Sequence, residues 1–207
     1  MSLVDELIKD GWLKTKEIIE SFREIKRKDF LTEETKNLSE LNEALPIGFE
    51  QTISQPLTVA FMLELLQPKS GDRVLDVGFG SGWTTALLAQ IVQPLGRVFA
   101  IERIPEIKDF GERNIKKYNF IKKGLVKTIL GDGSEGFKDG APYDKILVSA
   151  SASSLSESFK HQLKPGGRIV IPIENSIYLY IKKNGNEFQE KKYPGFVFVP
   201  LVSKDKK

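Results

Sequence analysis

The sequence predicts an α/β fold: a mostly parallel, twisted sheet with helices on both faces and an added helical layer at the N-terminus. Three observations carry the prediction. A short apolar strand runs into three alternating glycines and then an apolar helix, in Arg73-Val74-Leu75-Asp76-Val77-Gly78-Phe79-Gly80-Ser81-Gly82-Trp83. From residue 72 onward, strand-like and helix-like segments alternate, as parallel β-α-β units require. Acidic residues close three successive strands, at Asp76, Glu102 and Asp132.

The elements follow in order. Residues 3 to about 30 look helical and basic, with Ile18, Ile19, Phe22 and Ile25 at helical spacing on one buried face. Arg23, Lys26, Arg27 and Lys28 then fall on a solvated face. Residues 31–50 lose periodicity. Leu45-Pro46-Ile47-Gly48 reads as an extended turn, because the residue before proline is pushed out of the helical region. Gln51-Thr52-Ile53-Ser54-Gln55-Pro56 leads into a helix with Val59, Met62, Leu63 and Leu66 on one face. Helix capping is the plain structural role for Thr52 and Ser54. Strands are expected over about 73–77, 97–101, 126–130, 145–149 and 168–173, and helices over about 83–92, 105–118 and 155–163. Pro105 suits a first helical turn. Residues 178–183 and 196–201 read as two more strands, with Asn184-Gly185 as turn chemistry after the first. Residues 1–70 are best taken as a substrate-side extension of a single domain whose cofactor-binding core is 71–207.

The glycine-rich turn suggests a ligand. Glycines let the backbone turn sharply and approach a bound molecule, and the next helix offers its N-terminal N–H groups. A dinucleotide fingerprint would read G-x-G-x-x-G. Here Gly78, Gly80 and Gly82 alternate, and Trp83 and Thr84 follow. That spacing, with Asp76 just before the turn, fits S-adenosylmethionine better than a pyrophosphate. On that reading Glu102 accepts from ribose hydroxyls, Asp132 faces the adenine, and Asp76 lies near the methionine portion. A tight strand–helix turn without a ligand is the bland alternative.

Composition narrows the class. The chain has 207 residues, 40% hydrophobic and 29% charged, as in ordinary globular proteins. It has no cysteine, which excludes disulfides, thiolate metal sites and cysteine nucleophiles together. No metal site is expected. A net charge of +3 is too small to argue for nucleic acid. No apolar run approaches a membrane span, and the first residues lack a signal pattern, so a cytoplasmic protein is expected. The basic tail, Lys204 to Lys207, reads as a solvated end. The lone histidine, His161, reads as a surface or packing residue.

Taken together, separated motifs resemble the protein-L-isoaspartate O-methyltransferase family over residues 15–202. They are Leu45-Pro46-Ile47-Gly48 with Gln51-Thr52-Ile53-Ser54-Gln55-Pro56, the glycine turn, Ile101-Glu102-Arg103-Ile104-Pro105, Gly131-Asp132-Gly133, Ala141-Pro142-Tyr143-Asp144, Gln162-Leu163-Lys164-Pro165-Gly166-Gly167, and Phe198-Val199-Pro200-Leu201. The resemblance implies a Rossmann-like class I methyltransferase fold. It implies S-adenosyl-L-methionine as donor, with S-adenosyl-L-homocysteine as product. The acceptor is the α-carboxylate of L-isoaspartyl residues in damaged proteins, whose ester collapses to a succinimide that partly reopens to aspartate. The implied cofactor residues are Asp76, Gly78, Gly80, Ser81, Gly82, Glu102, Arg103, Asp132 and Gly133. Ser54 is the implied active-site residue, with Thr52 beside it. The chain departs from the family pattern at Glu40, Asn42, Glu50, Ser151–Ser156 and Glu174. Another small-molecule or RNA acceptor, or a non-catalytic cofactor-binding adaptor, is the alternative that those changes leave open.

Overall fold

The computed structural model describes residues 1–185 and 187–202. The N-terminal layer contains two helices, α1 (Leu3–Lys9) and α2 (Lys16–Glu24), rather than one long helical stretch. Gly11, at φ +74°, divides them. A left-handed glycine after a helix is a stop, and here Trp12 N donates to Leu7 O at 2.8 Å to close the turn. Ile18, Phe22 and Ile25 are buried, as their spacing predicts. Arg27 is not on a solvated face. It opens a short 3-10 turn, Arg27–Phe30, and is 5% exposed.

A hairpin follows, β1 (Leu45–Gly48) against β2 (Gln51–Ile53), where the sequence suggests only an extended turn. Its tip is tight, with Gly48, Phe49 and Glu50 all at positive φ. Helix α3 (Pro56–Leu66) starts after it, capped by Gln55 without a side-chain bond. Capping therefore does not account for Thr52, which is in β2, or for Ser54.

The main sheet has seven strands: β3 (Arg73–Val77), β4 (Arg97–Glu102), β5 (Val126–Leu130), β6 (Tyr143–Val148), β7 (Leu163–Ile173), β8 (Ser176–Lys182) and β9 (Phe188–Pro194). Their order is β5-β4-β3-β6-β7-β8-β9. The first five are parallel and the last two antiparallel. Helix α4 (Trp83–Val92) follows β3, α5 (Pro105–Lys116) follows β4, and α6 (Glu157–Gln162) precedes β7. Pro105 occupies the first turn of α5 as expected.

The strand expected over 196–201 is absent. The last strand is instead Phe188–Pro194, which carries the polar run Gln189-Glu190-Lys191-Lys192. Charged residues on an edge strand block further pairing, and they also erase the apolar alternation that a sequence reading relies on. Residues 199–201 form a strap across the sheet end. Ser151 N donates to Val199 O at 2.8 Å, and Leu201 N donates to Ser151 O at 2.7 Å. The C-terminal lysines lie outside the described residues.

Strand alternation divides the core in two. Val74, Val98, Ala100, Leu147 and Val170 face the layer made by α1 to α5. Leu75, Val77, Ile101, Val148 and Ile171 face a second cluster with Phe159 of α6, completed by loop residues such as Phe137. Both faces are covered, one by helices and the other largely by loops. Strand order reverses at β3, where the chain first pairs outward with β4 and later returns on the other side as β6. Open α/β sheets place ligands beyond such a point, at the carboxyl ends of the strands. Val77 pairs with both Ile101 and Val148, which sets those three strand ends level.

Candidate active site

The glycine turn after β3 is tied down from two directions. Gly78 N donates to Ile101 O at 2.8 Å, and Asn114 of α5 donates through Nδ2 to Ser81 O at 3.1 Å. A Cβ at Gly78 or Gly80 would meet no atom closer than 3.9 or 3.8 Å, so packing does not require glycine there. Both adopt positive φ, +75° and +54°, which strains any residue with a side chain, so glycine here lets the turn close beside the cleft it lines. Gly82 serves a different need. It caps α4 at φ +87°, and a Cβ there would lie 2.8 Å from both Gly111 O and the Ile115 side chain. It permits helix α5 to pack against the turn.

Glu102 ends β4 and is 7% exposed. Its Oε1 accepts from Arg103 N at 2.8 Å and Ile104 N at 3.1 Å, and its Oε2 accepts from Gly80 N at 3.2 Å. Three backbone donors hold the carboxylate in place at the cleft wall, which suits an acceptor for a diol. Arg103 is exposed beside it.

Asp76 does not reach the cleft. Like Val74 it points toward the helical layer, where it is fully buried and its Oδ2 accepts from Thr85 Oγ1 of α4 at 2.6 Å. Its Oδ1 is buried without a partner. Burial pushes its carboxyl up to about 7, with the Thr85 hydroxyl opposing and the Glu102 charge adding to the rise. Gly133 lines the cleft, but Asp132 lines an adjoining hydroxyl-rich groove, where its Oδ1 accepts from Ser134 N at 2.9 Å. A Cβ on Gly133 would meet Val77 at 2.6 Å, so this glycine answers to packing.

These parts border one open cleft of about 880 Å³, which includes its mouth. Gly78, Gly80, Ser81, Glu102, Arg103 and Gly133 line it on the sheet side. Thr52 and Ser54 line it from the hairpin side, although they are more than 20 residues distant from the glycine turn in the chain. The cleft also has walls that the sequence reading did not assign. Ser149 and Ala150 directly follow β6, and the strand-end rule could have found them. Val199 to Val202 come from the strap, and only its folding back over Ser151 brings them there. Trp83 also lines the cleft. Glu40, Asn42, Ser151–Ser156 and Glu174 lie outside this wall, and Glu50 is exposed at the hairpin tip. Glu40 instead accepts from Leu3 N at 3.2 Å, and Asn42 Oδ1 from Leu57 N at 2.9 Å. His161 is exposed on α6.

Residues 1–206 match the model of the family described as Protein-L-isoaspartate(D-aspartate) O-methyltransferase (PCMT). The chain belongs to this family. It is 40% identical over 207 residues to the protein-L-isoaspartate O-methyltransferase of Methanopyrus kandleri, covering 98% of this chain and 91% of that one. It is 41% identical over 205 residues to that of Pyrococcus abyssi, covering 96% and 92%. Among solved structures, it superposes with a TM-score of 0.86 on a Plasmodium falciparum protein described as a putative member of the family, in complex with S-adenosyl-L-homocysteine. Identity there is 25%, with 97% of this chain and 96% of that one covered. The fold is accordingly the class I, Rossmann-like methyltransferase fold. A cleft lined by Gly78 and Gly80, together with the preset Glu102 carboxylate, fits S-adenosylmethionine.

Proposed function

We infer that this protein is a protein-L-isoaspartate O-methyltransferase, transferring a methyl group from S-adenosyl-L-methionine to the α-carboxylate of L-isoaspartyl residues in damaged proteins. The observation that carries the acceptor side is that Thr52 and Ser54 share one cleft with the glycine turn and Glu102. Bound S-adenosylmethionine supplies an electrophilic methyl group on a sulfonium. The residues around it have three tasks. Glu102 holds a hydroxyl-bearing ligand at one end of the cleft. Gly78 and Gly80 let the turn close beside the cleft. Thr52 and Ser54 orient the acceptor from the hairpin side.

No general base is required. A carboxylate with an ordinary pKa near ~4 is already ionised at neutral pH. The catalytic contribution is therefore mainly positional. Neutral hydroxyl donors suit that task. They orient the anion without stabilising the ground state as a cation would, and only interactions stronger in the transition state speed the step. His161, exposed on α6, has no part in it. In this reading, residues 1–70 form the acceptor-side layer of a single domain. Absent cysteines and the lack, among the described residues, of a helix long and apolar enough to cross a membrane accord with cytoplasmic work on damaged proteins.

The test is methyl transfer from labelled S-adenosylmethionine to a short isoaspartyl peptide, beside the matched aspartyl peptide. Transfer to the isoaspartyl peptide alone is expected. Absence of transfer, with S-adenosyl-L-homocysteine binding confirmed on the same sample, would refute the acceptor assignment.

A further inference from the structure

The hairpin that carries Thr52 and Ser54 is held at its base by one buried cation. Arg27 Nη1 donates to Ser39 O at 3.2 Å and to Leu41 O at 2.9 Å. Nη2 donates to Glu43 O at 2.7 Å and to Ser54 O at 3.3 Å. Glu43 lies just before β1 and Ser54 just after β2, so one guanidinium bridges the strand entering the hairpin and the strand leaving it. The same group lies over the ring of Trp83, 5.5 Å from its centre, and Trp83 also lines the cleft.

Burial of Arg27 is costly. It depresses the guanidinium to about 10, with the Glu40 charge opposing. Arg27 Nε and Trp83 Nε1 are both buried without a partner. A buried cation facing neutral carbonyls is a poor way to gain stability, since apolar residues of similar volume often do as well. What the guanidinium supplies is geometry: a rigid fork of five donors that can serve several acceptors in fixed directions. We propose that Arg27 is a positioning residue for methyl transfer, clamping the base of the β1–β2 hairpin so that Ser54 keeps a fixed place on the cleft wall. The role rests on Ser54 acting at the acceptor side, as inferred above. Lysine is a poor replacement, because an ammonium offers three donors from a single atom and cannot serve all four carbonyls that the two guanidinium nitrogens reach.

The experiment compares wild type, Arg27→Lys, Arg27→Gln, Ser54→Ala and the double variant Arg27→Lys/Ser54→Ala. Lys182→Met serves as a control. Lys182 is another buried cation, donating to Lys160 O at 2.7 Å and Leu163 O at 2.8 Å in the region of α6 and β7 and lying 5.9 Å from the centre of the Phe188 ring. Measured are kcat and KM on the isoaspartyl peptide, S-adenosyl-L-homocysteine affinity and Tm. Misplacing a reacting group by about 1 Å can cost ~10²-fold, so kcat of Arg27→Lys should fall at least roughly tenfold. Cofactor affinity should stay close to wild type, and Lys182→Met should lose Tm without that loss of kcat. The double variant should be little slower than the slower single variant, because both changes remove one function.

Wild-type kcat in a folded Arg27→Lys protein would overturn the proposal. So would multiplicative losses in the double variant, or losses that track Tm equally in Arg27→Lys and Lys182→Met. If neither Arg27→Lys nor Arg27→Gln folds and binds S-adenosyl-L-homocysteine, Arg27 is structural and the proposal falls. Failure of the wild type to methylate the peptide would instead strike the functional reading, and unchanged kinetics of Ser54→Ala would strike the role of Ser54.

Discussion

Replacing Glu102 by alanine should cost cofactor affinity by an amount the geometry bounds. A carboxylate offers about four lone-pair sites. Three already accept backbone N–H groups, from Arg103, Ile104 and, more weakly at 3.2 Å, from Gly80. That leaves one strong acceptor position, and at most a second, for ribose hydroxyls. One hydrogen bond to a charged group is worth about 1.5–3 kcal/mol. At 1.4 kcal/mol per factor of ten, the dissociation constant should rise about 10- to 150-fold. Glu102→Gln should not restore wild-type binding, because the amide would turn an N–H toward one of the backbone donors that the carboxylate now accepts. Calorimetry with S-adenosyl-L-homocysteine reads the effect without turnover, at a temperature well below the Tm of each variant. Unchanged affinity in a folded Glu102→Ala protein would refute the assigned role.

Three further outcomes are expected. Ser54→Ala should lower kcat on the isoaspartyl peptide more than it changes cofactor affinity, and equal kinetics would remove Ser54 from the site. Asp76 has its folded pKa raised from 3.8 to about 7, so the stability it confers is fully present below 3.8 and is lost as pH rises through about 7. Asp76→Asn should escape that loss, so its Tm advantage in the cofactor-free protein should widen across this window; a constant difference would mean that Asp76 is ionised throughout. Gly111→Ala would place a methyl group against Gly80 O and 2.7 Å from the Phe79 ring. Overpacking of this kind costs about 1–3 kcal/mol, and cofactor affinity should fall with Tm because the glycine turn must shift. A wild-type Tm in thermal unfolding would show that α5 can move aside.

Much of the core was legible because its signals are local. The strands at 73–77 and 97–102 are short apolar runs between turn residues, and Pro105 marks a helix start. Other features depend on partners far along the chain. The polar strand Phe188–Pro194 pairs along one edge only and carries no alternation to read. Arg27 looks like one member of a basic cluster, and nothing near it in sequence shows that four carbonyls surround it. Gly111 sits inside a helix, where glycine is otherwise unfavourable, and that oddity was the one available signal of its contact with the turn.

By itself, the sequence determined the fold class, the cofactor turn, the acid that ends β4 and the family, since each rests on residue types at short, fixed spacing. Tertiary structure alone decided which of the singled-out residues share a cleft. Asp76 and Glu102 share one phase of the pleat, but Asp76 is level with Ala100, two residues short of Glu102, and is buried against Thr85 in the helical layer, while Glu102 ends β4 and is held at the cleft wall by backbone donors. Ser54 and the 199–202 strap reach that cleft only through the hairpin fold and the bonds to Ser151. Side-chain direction and long-range closure are set by pairing and packing, which no local pattern encodes.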